Sequence, residues 1–287
     1  MPRKPKMDQE ERRAYAAQMR AELEAVMDRA YAAMVVSQEF WAEVMRTGAV
    51  LADRSPVNVV AIAAQRPGTT RVLSAGNWRK AGRHPAKGST SLRIWTPIKR
   101  RPAAEAPEGA TDPQQAPAEG TSHKVSGYKA GPVFDLAQTE GDAYEHPSPP
   151  VAIHASAVRD VLITQYRQTY GDDPETAGGF DFTKEAPDHA ARILLYGHAW
   201  RRITEADAPM PGQHAAEVAS AAHVAALMLG IMPGPAALPP LAGIVTSDKK
   251  PPIHGAVVRV IETGRAIADA VVSELAESGA RELVRSS

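Results

Sequence analysis

The sequence predicts an α+β fold: N-terminal helices plus a small antiparallel sheet, then a mostly helical second half. Three observations carry this. Apolar residues recur near the 3.6-residue period over long stretches at both ends of the chain. Ser91 to Arg101 alternates with a period near two, and Lys124–Asp135 supplies a matching partner strand. The 24 Pro and 21 Gly cluster between these stretches, where loops belong.

In chain order, residues 8–33 predict a helix, with Tyr15, Met19, Leu23, Val26, Met27 and Ala30 on one face and Glu and Arg on the other. A second helix is expected over Gln38–Ala52, with Phe40, Trp41, Val44 and Met45 inward. Ser55-Pro56 marks the start of a third, with Ser as N-cap and Pro in the first turn, and Pro67-Gly68 stops it. Thr70–Ser74 reads as a short strand, Asn77–Gly82 as one helical turn closed by Gly, and Arg83–Gly88 as a basic turn. Along Ser91–Arg101, Leu92, Ile94, Thr96 and Ile98 oppose Arg93, Trp95 and Lys99. Residues 102–121 hold no large apolar side chain and read as a disordered hairpin insert. Helices are expected over Ile153–Tyr170, Ala186–Ile203, Gln213–Leu229 and Val257–Leu275. Glu145–Pro150, rich in Pro and Ser, is the expected boundary between two domains, 1–146 and 151–287.

Composition narrows the function. The 287 residues include no Cys, which excludes disulfides, thiolate metal sites and a catalytic thiol, and suits a reducing compartment. The longest apolar stretch, Ala215–Ile231, is interrupted by Glu217, Ser220 and His223, so a buried helix is expected and no membrane span. A cytoplasmic location is the expectation. The net charge of zero hides a segregation: residues 51–101 carry 11 Lys/Arg against one acid, Asp53, and residues 102–287 carry 14 bases against 24 acids. Such segregation speaks of partners, and the basic block is suited to a polyanion.

Lys and Arg neutralise phosphates and release counterions, and single-strand binders add aromatic side chains on which bases stack at about 1–3 kcal/mol per base. The candidate contacts are Arg71, Trp78, Arg79, Lys80, Arg83, Lys87, Arg93, Trp95, Lys99 and Arg100. Trp78 is open to two uses, core packing or base stacking. Trp95 is expected to stack, because its neighbours Ile94 and Thr96 point to the other face of the strand. Asn58 and Gln65, seven residues apart on one helical face, are suited either to base edges or to backbone capping. Phe134-Asp135 and Gln138-Thr139 are assigned a fold role, since Asp and Thr favour turns.

The ordered set Asn58, Gln65-Arg66-Pro67-Gly68-Thr69-Thr70, Trp78, Gly82-Arg83, Lys87-Gly88, Ile94 and Pro97, then Val133-Phe134-Asp135 and Gln138-Thr139-Glu140-Gly141, resembles the N-terminal domain of the ArdC-type antirestriction proteins over roughly residues 10–145. That resemblance implies single-stranded DNA binding and a mobile-element setting. The family's second half is a zincin-like metallopeptidase domain with an HExxH helix and a later motif similar to EAESVA. Here Asp188-His189-Ala190-Ala191-Arg192 stands where the HExxH segment would fall, and Ser220-Ala221-Ala222-His223-Val224-Ala225 replaces the acidic motif.

HExxH works because two His at i and i+4 share a helical face, with a Glu poised to activate metal-bound water. No HxxxH occurs in this chain, and Arg192 at a ligand position repels a cation. His189, His198 and His223, with Glu217 or Asp188, are the candidates for a rebuilt metal site. No Walker loop, dinucleotide glycine fingerprint or nucleophile elbow is present. The expectation is a non-enzymatic single-stranded-DNA-binding protein of a mobile element, with no zinc or other cofactor and, besides the DNA, a DNA-processing protein as a candidate partner. The alternatives are a metallopeptidase with a rebuilt His/Asp site and a partner-binding protein acting through its acidic second half.

Overall fold

The computed structural model describes residues 7–100, 124–145, 153–171, 173–174, 181–205, 211–232, 238 and 250–285. The expected insert at 102–121, the Pro/Ser stretch at 146–150 and the side chains of Lys99 and Arg100 lie outside the described residues.

Helix α1 (Gln9–Val36) starts at a capping box: Asp8 accepts from the Glu11 amide at 2.8 Å, and Glu11 accepts from the Asp8 amide at 2.9 Å. Every residue from Gln9 to Gln18 is exposed, so the first turns project beyond the body, and burial begins at Met19. Ser37 ends α1 and caps α2 (Gln38–Val50) by accepting from the Phe40 amide. Helix α3 (Pro56–Gln65) begins with Pro56 behind the extended Ser55, whose side chain makes no cap hydrogen bond.

Three strands form one antiparallel sheet in the order β1 (Val72–Leu73), β4 (Lys124–Asp135), β3 (Leu92–Arg100). Helix α4 (Ala75–Lys80) precedes β2 (Arg83–Pro85), which pairs with β5 (Thr139–Gly141) in a second small sheet. The segment from Arg83 was expected as a turn. Three residues are too few to show a period-two signature, and their pairing is with a strand more than 50 residues away. A bulge between Pro97 and Lys99 shifts the β3–β4 register, with Gly127 at φ 154 on the opposite strand.

The second half is helical: α5 (Ala155–Tyr170), closed by Gly171 in the left-handed region, α6 (Pro187–Glu205), α7 (Pro211–Met228) and α8 (Lys250–Arg285). The protein is thus α+β with a mostly helical second half, as its sequence predicts. Helix α8 starts earlier than Val257, since Pro251 and Pro252 fall within its first turn, where a missing N–H costs nothing.

One core cluster runs through both halves. It joins Leu23, Met34, Trp41 and Val60 to Leu162, Leu195, Val218 and Val260. Trp41 is fully buried, and its indole N–H donates to Ser220 Oγ of α7 at 2.9 Å. Arg265 of α8 donates to the carbonyls of Gly48, Leu51 and Arg54, at the end of α2 and in the loop after it. Helices α7 and α8 approach so closely at Gly264 that a Cβ there would sit 2.7 Å from the Ala221 carbonyl oxygen and from Val224 Cβ. A smaller cluster of Leu51, Ile62, Val72, Leu92, Ile94 and Val133 fills the space between α3 and the sheet. Among the described residues no helix is long and apolar enough to cross a membrane.

Candidate nucleic-acid interface

Strand β3 lies at the edge of its sheet, and an uncovered edge presents unpaired N–H and C=O groups. Two amide side chains of α3 cover it. Asn58 Nδ2 donates to the Trp95 carbonyl at 2.9 Å while Asn58 Oδ1 accepts from the Trp95 amide at 2.8 Å. Gln65 Nε2 donates to the Arg93 carbonyl at 2.8 Å while Gln65 Oε1 accepts from the Arg93 amide at 2.8 Å. The seven-residue spacing on α3 thus matches the two-residue repeat of one strand edge. Both side chains serve the backbone, the second of the two uses open to them.

This clamp sets which way β3 faces. Leu92 and Ile94 enter the core, and Arg93 and Trp95 face α1. Trp95 is half-buried, and the Arg20 guanidinium lies over its ring at 5.8 Å from the centroid. Arg20 is itself held by Glu24 at 2.9 Å, with both side chains at least half exposed. Arg93 donates to Tyr15 Oη at 3.3 Å. Trp95 is therefore neither free in solvent nor part of the closed core. It floors a cleft of about 690 Å³ between α1, the loop after α2, the start of α3 and the β3–β4 hairpin. Tyr128, 59% exposed and paired with Pro97, lines the same cleft with Arg54 and Asp53.

The basic block divides into two groups. Arg54 donates to the Val72 carbonyl at 2.5 Å, and Arg66 pairs with the buried Asp135 at 3.3 Å. Arg71 is held 3.7 Å from Asp53. Arg83 locks the second sheet, donating to Thr139 Oγ1 at 2.9 Å, to the Thr139 carbonyl at 2.8 Å and to the Asp142 carbonyl. Of Arg71 and Arg83, both expected at the phosphates, Arg83 is taken up by these internal contacts, and Arg71 is turned inward beside Asp53 with its side chain 24% exposed. Arg79, Lys80 and Lys87 are exposed and make no ion pair with the described residues.

Trp78 belongs to the core. It is fully buried, its indole N–H donates to the Phe134 carbonyl at 2.9 Å, and its ring meets Tyr144 edge-on at 5.2 Å, so neither face is open to a base. Asp135 has the fold role expected of it. It caps the turn after β4, accepting from the Ala137, Thr70 and Arg71 amides. Tyr128 is the residue sequence reasoning missed. Its signal was faint: an aromatic beside Gly127 in a strand whose partner carries Pro97.

In the helical half, the residues proposed as metal ligands do not converge. His189 is exposed. His198 is buried with its Nε2 2.9 Å from the Leu162 carbonyl and its ring edge-on to Tyr166. Glu217, fully buried, is held by two hydrogen bonds from Arg259 at 2.8 and 2.7 Å. Arg192 donates to the Met232 carbonyl. Among the described residues no group of three or more His, Asp or Glu is placed to hold a metal ion, so the zinc that the resemblance implies does not fit these side chains.

Burial pulls the pKa of both His198 and His223 below the usual imidazole value of 6.5; at His198 the Leu162 carbonyl works against this and Arg202 with it. The unfolded chain then binds these protons first, so stability is full above about pH 6.5 and is lost as the pH falls towards the folded values. A thermal melt series from about pH 7.5 to about pH 5 should show Tm falling through this window. The double variant His198→Gln, His223→Gln should flatten that fall.

The fold and the cleft together define a class: a small sheet with its edge strand clamped by a helix, an aromatic cleft beside it, and a helical layer sharing its core. A scan against protein-family models gives no match, and neither does a search of curated proteins. Among solved structures, the chain is similar to the metal-free crystal structure of the antirestriction protein ArdC from plasmid R388, with a TM-score of 0.52 and 14% identity, covering 88% of this chain and 98% of that one. The similarity is one of fold, and it extends over both halves.

Proposed function

We propose that this protein binds single-stranded DNA through the Trp95–Tyr128 cleft and the basic surface beside it, as a non-catalytic antirestriction-type protein of a mobile element acting in the cytoplasm. The observation that carries this is the cleft itself. A half-buried Trp and an exposed Tyr share one opening with Arg20 and Arg54. Aromatic faces with adjacent guanidinium groups are what unpaired bases and their phosphates need. The fold similarity to ArdC supports the antirestriction setting, and the exposed Arg79, Lys80 and Lys87 supply uncommitted charge for the DNA backbone.

Fluorescence anisotropy with labelled oligonucleotides across a salt series tests the reading. Single strands are expected to bind more tightly than duplex, with log K falling linearly in log salt at a slope of about 0.7 per phosphate contact. Trp95→Ala should weaken binding by about 5- to 150-fold, the equivalent of about 1–3 kcal/mol of lost stacking. Lys87→Ala should lower the slope by about 0.7. Absent or salt-independent binding would remove the proposal. Zinc has no part in it, and stoichiometric zinc in the purified protein, lost on changing His189 or His198, would restore the metallopeptidase alternative.

A second reading, docking of a protein partner on the acidic half, is favoured by one feature. Tyr196 and Trp200 on α6, 39% and 44% exposed, lie nearly parallel with ring centroids 6.4 Å apart. Partner capture lost in Trp200→Ala, with no shift of any oligonucleotide, would favour it.

A further inference from the structure

The cleft does more than offer a stacking face. Among its lining side chains are two carboxylates, and they differ in occupancy. Glu24 accepts a hydrogen bond from Arg20 at 2.9 Å. Asp53 has Arg54 and Arg71 each at 3.7 Å, beyond hydrogen-bond distance, and accepts no hydrogen bond among the described residues. Its carboxylate, 46% exposed, therefore keeps its acceptor capacity while two guanidinium groups balance its charge. The cleft's charged lining is otherwise Arg20 and Arg54, so Glu24 and Asp53 make it neutral overall. A neutral, largely apolar opening with an aromatic floor, a guanidinium over that floor and one carboxylate that faces solvent without a hydrogen bond from the described residues suits a planar, uncharged ring that donates hydrogen bonds.

We infer that the cleft takes one unstacked nucleobase bearing an exocyclic amino group, sandwiched between the Trp95 ring and the Arg20 guanidinium, with Asp53 accepting from the amino group. The inference rests on the single-strand reading above and adds a base preference to it. Arg20 is held only by an exposed surface pair, so it can lift from Trp95 and close on the outer face of an inserted base, since guanidinium planes stack on bases as aromatic rings do. Carboxylates accept from the amino group of cytosine, whereas thymine has no amino group to offer. Stacking alone tolerates every base and yields no such preference.

The test uses the full chain and two labelled oligonucleotides, an all-thymine strand and the same strand with one central cytosine. The cytosine strand is expected to bind at least about fivefold tighter, a single-base discrimination of ordinary size. In Asp53→Ala both strands should bind alike, and Arg20→Ala should weaken both without removing the preference. Equal binding of the two strands by the unaltered protein overturns the base pocket while leaving single-strand binding intact. A preference that survives Asp53→Ala overturns the assigned acceptor. Failure of both strands to bind overturns the pocket together with the reading on which it rests. The first comparison needs no variant, so a folding defect cannot obscure it.

Discussion

Replacing Trp41 by Ala is expected to cost about 3–5 kcal/mol of stability, the range for removing a large aromatic from a closed core. Trp41 is fully buried on α2, yet its indole N–H donates to Ser220 on α7, about 180 residues away. The cavity would therefore open where the first and second halves of the chain meet. Because the same core cluster holds residues of both halves, the loss should lower one shared transition. Urea unfolding followed by far-ultraviolet circular dichroism and by tryptophan fluorescence is the check. Coincident curves displaced together are expected. Two separated transitions would show that the halves unfold independently, and a displacement worth less than about 1 kcal/mol would show that Trp41 does not hold the core as its burial implies.

The second large effect is expected at the strand clamp. Asn58→Ala strips Trp95 of both backbone partners on that edge, and Gln65→Ala does the same to Arg93. Leaving a partly buried donor or acceptor without a partner costs about 1–3 kcal/mol, so each single variant should lose that much and the double variant more. The consequence reaches the cleft, because the clamp sets the pitch of β3 and with it the attitude of the Trp95 ring. Single-strand affinity should fall in both variants, even in Gln65→Ala, whose side chain does not line the cleft. Hydrogen exchange at the Arg93 and Trp95 amides separates this from a general loss of stability. If those two amides stay protected in the double variant, the clamp is not what holds the strand.

Much of this was legible in the sequence. The 3.6-residue recurrence of Met19, Leu23, Met27 and Ala30 gives α1, and Ser55-Pro56 gives the start of α3. The alternation of Leu92 and Ile94 against Arg93 and Trp95 gives β3 and its two faces. The common face of Asn58 and Gln65 was equally plain, but the strand edge it meets is a tertiary fact, since Trp95 lies 37 residues from Asn58. The charge of the basic block was readable and its division was not. Whether an Arg reaches solvent or an internal carbonyl depends on where Asp135 and Thr139 come to rest, and no local pattern encodes that. Trp78 and Trp95 look alike along the chain, each preceding or following basic residues. Only the Phe134 carbonyl, brought in by β4, draws Trp78 inside.

The three carbonyls gathered by Arg265 belong to Gly48, Leu51 and Arg54, the segment that ends beside Asp53 at the cleft. A side chain of the last helix thus sets the backbone from which Asp53 projects into the cleft. Thermodynamic linkage makes this reciprocal: an oligonucleotide that selects one arrangement of that loop must also stabilise the helix that holds it. The acidic half, without touching DNA, would register occupancy of the cleft as slower opening of α8, and a lesion in α8 would be felt first as weaker capture of a strand.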